Sequence, residues 1–93
     1  MSAPHTPDPG YDRRGPMFWL PPHGFGNGIR ARAWAEIADL TARELDRVFT
    51  ALTDANIAAY AATVHGRTDC YRLWVDSLRY LHAEDVLMEV LAT

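Results

Sequence analysis

A helix start near the middle of the chain constrains the fold more than any other sequence feature. Thr41 followed by Glu44 forms a capping box, in which each side chain accepts a hydrogen bond from the other residue's backbone N–H. Leu40 and Leu45 stand at the two positions of a hydrophobic staple. The segment 41–55 then carries apolar residues at helical spacing. The pattern predicts an amphipathic helix that begins at residue 41.

Three segments around this helix alternate in the manner of β-strands. They are 29–38, 57–64 and 70–75, and the last two are separated by the turn 65–69. A second amphipathic helix is expected over 78–92. The predicted order is therefore strand, helix, strand, strand, helix.

This order indicates an α+β fold. Strands one and two are joined through a helix and should run parallel, with a right-handed crossover. The short turn makes strands two and three an antiparallel hairpin, so the third strand fits between the other two. We predict a ferredoxin-like split β-α-β domain (βαββα) over residues 29–93, with a three-stranded antiparallel sheet and two helices on one face.

The other sheet face has no helix to cover it. Alternation along the strands places on it Arg32, Trp34, Glu36, Tyr60, Arg72 and Trp74, with Cys70 at its margin. Two tryptophans are too much apolar surface to leave exposed on a monomer. A second copy or another protein is therefore expected to cover this face.

Residues 1–28 differ from the rest in composition. All six prolines of the chain lie before residue 23, and five of its six glycines lie before residue 29. We predict an extended or disordered tail. Its segment 16–22 carries Met17, Phe18, Trp19 and Leu20 between prolines, which is typical of a docking peptide or of a tail folded onto its own domain. The glycine-rich stretch 23–28 is interpreted as a flexible hinge.

Composition excludes several classes of function. The formal charge is −3 and all nine basic residues are arginine, which disfavours a dedicated nucleic-acid binder. Cys70 is the single cysteine, and His23, His65 and His82 are too dispersed to form a recognisable metal set, so neither a metal nor another cofactor is predicted. No apolar run is long enough for a membrane span or a signal peptide, and a cytoplasmic location is expected.

Parts of the chain resemble a known family. The resemblance is carried by Thr41-Ala-Arg-Glu-Leu45 with Leu52, by Asn56-Ile-Ala-Ala-Tyr60, and by Tyr71-Arg-Leu-Trp-Val75 followed by Ala83-Glu-Asp-Val-Leu87. It spans about residues 30–92. These segments are similar to the small prokaryotic signal-transducing proteins, which are PII-like modules of ferredoxin-like fold. The resemblance implies a regulatory or adaptor role and no catalytic residues.

The sequence therefore predicts a non-catalytic protein-interaction or regulatory module, whose partner is another protein or a second copy. The residues expected to bind that partner are Met17, Phe18, Trp19, Leu20, Arg32, Trp34, Tyr60, Arg72 and Trp74. Two alternatives stay open. One is a small-ligand sensor or enzyme of the dimeric ferredoxin-like kind, and the other is single-stranded RNA binding by the aromatic face.

Overall fold

The computed structural model describes residues 19–92, so Met17 and Phe18 lie outside the described part. Its elements in chain order are β1 (Phe25–Gly26), β2 (Trp34–Leu40), α1 (Ala42–Asp54), β3 (Ala59–Thr63), β4 (Tyr71–Asp76), a 3₁₀ turn (Ser77–Arg79) and α2 (Tyr80–Leu91). The predicted α+β class, with an antiparallel sheet and two helices, is confirmed.

The sheet contains one strand more than the sequence predicts. Its order is β1-β3-β4-β2, and all neighbouring strands are antiparallel. The predicted placement of β4 between β3 and β2 is confirmed. The prediction of three strands is wrong, because Phe25 pairs with Ala61 and Gly26 with Tyr60, which adds β1 at the edge.

The strand β2 also begins and ends later than expected. The prediction was 29–38, whereas the observed strand is Trp34–Leu40 and residues 32–33 form a bend. Pairing with β4 shifts between Glu36 and Ala38, which makes Ile37 the extra residue of a β-bulge. Ile37 and Ala38 are both buried. After the bulge, the alternation of side chains between the two sheet faces is shifted by one residue. Asp39 therefore lies on the same face as Glu36, the face that carries no helix, which we call the helix-free face.

The start of α1 follows the capping signals closely. The Glu44 N–H donates to Thr41 Oγ1 (3.2 Å), and the Thr41 N–H donates to Glu44 Oε1 (2.9 Å). Asp69 adds a contact that the sequence did not reveal, since its Oδ1 accepts from the Ala42 N–H at 2.8 Å. Two carboxylates therefore lie at the positive end of the helix dipole. At the other end, Asn56 adopts φ 60°, as its residue type predicts.

The core lies between one sheet face and both helices. Leu40 and Leu45, the staple pair, belong to it, as do Ala83 and Leu87 of α2. Helix α1 contacts β2 and β3, and α2 contacts β2 and β4. The largest fully buried side chains are Ile37, Leu40, Val48, Leu52, Ile57, Leu73, Val75 and Leu87. Seven of the eight lie in the predicted strands and helices, at positions whose apolar pattern predicts the core. Leu40 lies between the predicted strand and the predicted helix, as the first residue of the staple pair.

The second helix is divided at its start. Asp76 Oδ1 accepts from the Leu78 N–H (3.0 Å), which opens the 3₁₀ turn before α2 begins at Tyr80. Leu78 and Leu81 stay exposed. Neither helix of the described part has the length and apolar character needed to cross a bilayer.

We expect Leu52→Ala to lower the free energy of unfolding by about 2–5 kcal/mol, because the side chain is fully buried under the sheet and its loss leaves a cavity. The matched control is Leu78→Ala, the same change at a side chain that is 80% exposed, with an expected effect below about 0.5 kcal/mol. Urea unfolding measures both. Equal losses in the two variants would contradict the assigned core.

Candidate interaction groove

Asn27 anchors the chain that precedes the predicted domain. Its Nδ2 donates to the carbonyl of Ile57 (2.9 Å) and to Thr53 Oγ1 (3.1 Å). Its Oδ1 accepts from the N–H groups of Ala59 (3.1 Å) and Ile29 (3.3 Å). The Asn27 N–H donates to the Ala59 carbonyl at 3.0 Å. One carboxamide thus ties the end of β1 to the start of β3 and to the last turn of α1.

The glycine-rich stretch is a strand at residues 25–26 rather than a flexible hinge. Gly24 is the glycine that the neighbouring Tyr60 ring on β3 requires. A Cβ atom at Gly24 would overlap the Ala61 carbonyl oxygen and lie 2.5 Å from Tyr60 Cζ. At Gly26 it would lie 3.3 Å from the Ala59 carbonyl oxygen. The absence of a side chain at Gly24 therefore allows the Tyr60 ring to pack closely against the backbone of the tail.

The Tyr60 hydroxyl fastens the tail from the other side. It accepts from the Gly24 N–H (3.0 Å) and donates to the Pro21 carbonyl (2.5 Å). Its ring centroid is 6.1 Å from that of Trp74 and 6.4 Å from that of Trp34, both at tilted angles. Tyr60 is therefore held between two tryptophans and two backbone groups.

These contacts create an apolar groove between the tail and the helix-free face, with a volume of about 340 Å³. We call it the tail groove, and its lining residues are Trp19, Pro21, Ala62, Thr63, Val64, His65, Arg72 and Trp74. Trp19 is 68% exposed at its border, whereas Trp74 is only 6% exposed. The Trp74 Nε1–H is buried and has no hydrogen-bond partner among residues 19–92, which is an unfavourable state for a polar group.

Arg72 forms the polar side of this groove. Its Nε and Nη2 donate to the two carboxylate oxygens of Asp39 at 2.9 and 3.1 Å, and its Nε lies 3.4 Å from Glu36 Oε2. The pKa of Arg72 is raised above its ordinary value, chiefly by the hydrogen bond to Asp39. Partial burial lowers the pKa of Arg72, and the negative charge of Glu36 raises it further. Arg72 is thus a fixed cation, clamped in a bidentate pair.

The structure brings together only some of the residues predicted to bind a partner. Trp19, Arg72 and Trp74 line the tail groove. Tyr60 and Trp34 form the aromatic cluster beside it, Leu20 is half-buried, and Arg32 is exposed outside the groove lining.

Two features of this region differ from the sequence prediction. Trp74 is buried, although alternation placed it on an uncovered face, because the face is partly covered by the chain's own tail. Pro21 and Asn27 were not predicted as structural residues. The interpretation of residues 23–28 as a flexible hinge did not anticipate the four side-chain hydrogen bonds of Asn27.

Among residues 19–92, no group of three or more His, Cys, Asp or Glu side chains could hold a metal ion. Comparison of the chain with protein families, characterised proteins and solved structures finds no match. The resemblance to the PII-like family therefore stays a prediction.

We expect Asn27→Asp to cost about 1–3 kcal/mol of stability. The change preserves shape but removes both Nδ2 donors and sets a carboxylate against the Ile57 carbonyl. Asn56→Asp is the matched control, because Asn56 is exposed; the new charge lies at the C-terminal end of α1 and should cost less than about 1 kcal/mol. Thermal denaturation compares them. An unaffected Asn27→Asp variant would show that the tail anchor contributes nothing.

Tyr60→Phe should cost roughly 1–2 kcal/mol, since Gly24 and Pro21 each lose a hydrogen-bond partner at a half-buried position. Tyr71→Phe is the control, because the Tyr71 hydroxyl takes no part in these two bonds. Its expected effect is below about 0.5 kcal/mol. Chemical unfolding of both variants checks this, and identical stabilities would argue against the hydroxyl clamp.

Proposed function

We propose that this protein is a small non-catalytic protein-interaction or regulatory module, and that it binds another protein through the tail groove and the adjacent Trp19 indole. The observation that carries the proposal is the exposure of Trp19 beside an apolar groove. A tryptophan that is 68% exposed gains little for the fold of its own chain. Exposed aromatic side chains next to a groove are typical anchors of protein interfaces.

The shape of the groove supports an extended partner segment. Its lining joins Trp19 and Pro21 of the tail to Ala62 of β3 and Trp74 of β4. Arg72 is already held in place by Asp39 and Glu36, so a hydrogen bond from its guanidinium to a partner would cost little side-chain entropy on binding. Such a site favours an apolar peptide with an acceptor group near Arg72.

We further propose that the domain is a ferredoxin-like split β-α-β unit with one added edge strand. The strand order β3-β4-β2 and the helices on one face support it. Together with the resemblance to PII-like modules, this arrangement favours a regulatory role over catalysis.

A small-ligand sensor is the second candidate. A groove of about 340 Å³ lies within the usual range for small-molecule sites. RNA binding receives less support, because Trp74 is buried and the Tyr60 hydroxyl is bonded to the tail, so neither offers a free ring face for stacking.

The test uses Trp19→Ser in the full chain. Affinity purification with chemical cross-linking should identify a protein cross-linked near the tail groove, and binding of the purified partner should weaken at least about tenfold in the variant. The melting temperature should stay unchanged, because Trp19 is mostly exposed.

Leu78→Ser is the matched control, since it removes an even more exposed apolar side chain elsewhere on the surface. It should preserve partner binding. Equal binding by wild type and Trp19→Ser would refute the proposed site, and saturable binding of a small molecule that quenches the indoles would favour the second candidate.

A further inference from the structure

We propose that this protein binds a small molecule with a methylated ammonium group, such as choline, in an aromatic cavity beside the N-terminal half of α1. The cavity has a volume of about 220 Å³, and no residue that lines it also lines the tail groove. The site is therefore separate from the tail groove and does not depend on the function proposed for that groove. The aromatic cavity is lined by Phe25, Ala42, Leu45, Asp46, Phe49 and Tyr71.

The cavity forms because β1 is short and the chain before it leaves the helix side of the sheet. Phe25 stands opposite Ala61 on β3, whereas β3 and β4 continue to the pair Thr63–Tyr71. The Phe25 ring contacts that of Phe49 and so lies on the helix side. The tail before it passes to the helix-free face, where it borders the tail groove. A space between α1 and the end of the β3–β4 pair remains as the cavity.

Three aromatic rings line this cavity. Phe25 and Phe49 have ring centroids 5.3 Å apart and planes inclined by 56°, so they form a corner rather than a flat stack. Tyr71 adds a third ring, and the buried Leu45 adds an aliphatic side chain. Phe25 is 49% exposed, so the fold leaves this ring available to a ligand. A cation is attracted to an aromatic face within about 6 Å of the ring centroid, and several rings around one methylated ammonium form an aromatic cage.

The charges around the cavity favour a cation over an anion. Asp46 contributes a carboxylate to the lining, and no basic side chain of residues 19–92 lines the cavity. The first N–H groups of a helix attract anions, but those of Thr41, Ala42 and Glu44 are already bonded to side-chain oxygens. The oxygen that binds the Ala42 N–H belongs to Asp69, at 2.8 Å, which places a second carboxylate next to the cavity.

The size of the cavity favours a compact ligand. Small-molecule sites usually have volumes of about 300–1,000 Å³. A volume of about 220 Å³ suits a single head group rather than a larger molecule. The tail groove also contains aromatic residues, but Arg72 in its lining repels a cation. The aromatic cavity is therefore the better site for a methylated ammonium group.

The first test is titration calorimetry of the full chain with choline chloride at constant ionic strength. We expect saturable binding. Dimethylbutanol, the uncharged analogue in which a tert-butyl group replaces trimethylammonium, should bind at least about tenfold more weakly. Equal binding of the two compounds overturns the proposal, as does the absence of saturable choline binding up to about 10 mM.

The second test removes the carboxylate. Asp46→Asn preserves the shape of the side chain and should weaken choline binding about three- to fivefold, without changing the binding of dimethylbutanol. Asp54→Asn is the matched control, because Asp54 is an exposed carboxylate about two turns further along α1 and outside the cavity lining. Its choline affinity should change less than about 1.5-fold. Equal choline affinities in the two variants overturn the proposal.

The third test locates the ligand by NMR of the aromatic side chains. Choline should shift the ring resonances of Phe25 and Phe49 and leave the Trp19 indole unchanged, because Trp19 borders the tail groove. Shifts at Trp19 alone overturn the assigned site. Tighter binding of a trimethyllysine peptide than of choline would assign the cavity to a modified protein segment and overturn the small-molecule ligand.

Discussion

The side-chain carboxamide of Asn27 is the interaction on which the architecture of this protein depends most. Its four hydrogen bonds reach α1, β3 and the chain after β1. Asparagine is suited to this position because one small group offers two donors and an acceptor with two lone pairs. Without that anchor, the two-residue strand β1 would depend on the Tyr60 hydroxyl and the Phe25–Phe49 ring contact, since so short a pairing is weak by itself.

The formation of the tail groove depends on the Asn27 anchor through a series of neighbouring contacts. Asn27 sets β1 beside β3, and the glycine at position 24 then allows the Tyr60 ring to approach. The Tyr60 hydroxyl binds Pro21, and this contact places Trp19 at the groove border. The sheet face that lacks helices is thus divided. Its β3–β4 part is covered by the chain's own tail, whereas within residues 19–92 the strand β2 pairs only with β4.

Much of this fold could be predicted from sequence because its signals are local. The capping box of Thr41 and Glu44, the left-handed Asn56 and the alternation in β3 and β4 each act over a few residues. The bulge at Ile37 could not be predicted from the sequence. Alanines alternate with larger residues in this segment and can lie on either face of the sheet, so packing against α1 and α2 determines which residues face the helices. The additional strand β1 was not predicted either, because it depends on hydrogen bonds to residues about thirty positions later in the chain. For the candidate site, the aromatic residues were predicted correctly as a cluster, but the tail that covers Trp74 depends on these same distant contacts.

Amide hydrogen exchange at Asn27 tests the central claim most directly, namely that the residues before the predicted domain are part of the fold and build the groove. The Asn27 N–H donates to the Ala59 carbonyl within the sheet. We predict that it exchanges much more slowly than an unprotected amide, because opening it requires β1 to separate from β3 and the side-chain hydrogen bonds of Asn27 to break. Exchange at the rate of an unprotected amide, while β4 stays protected, would contradict the account.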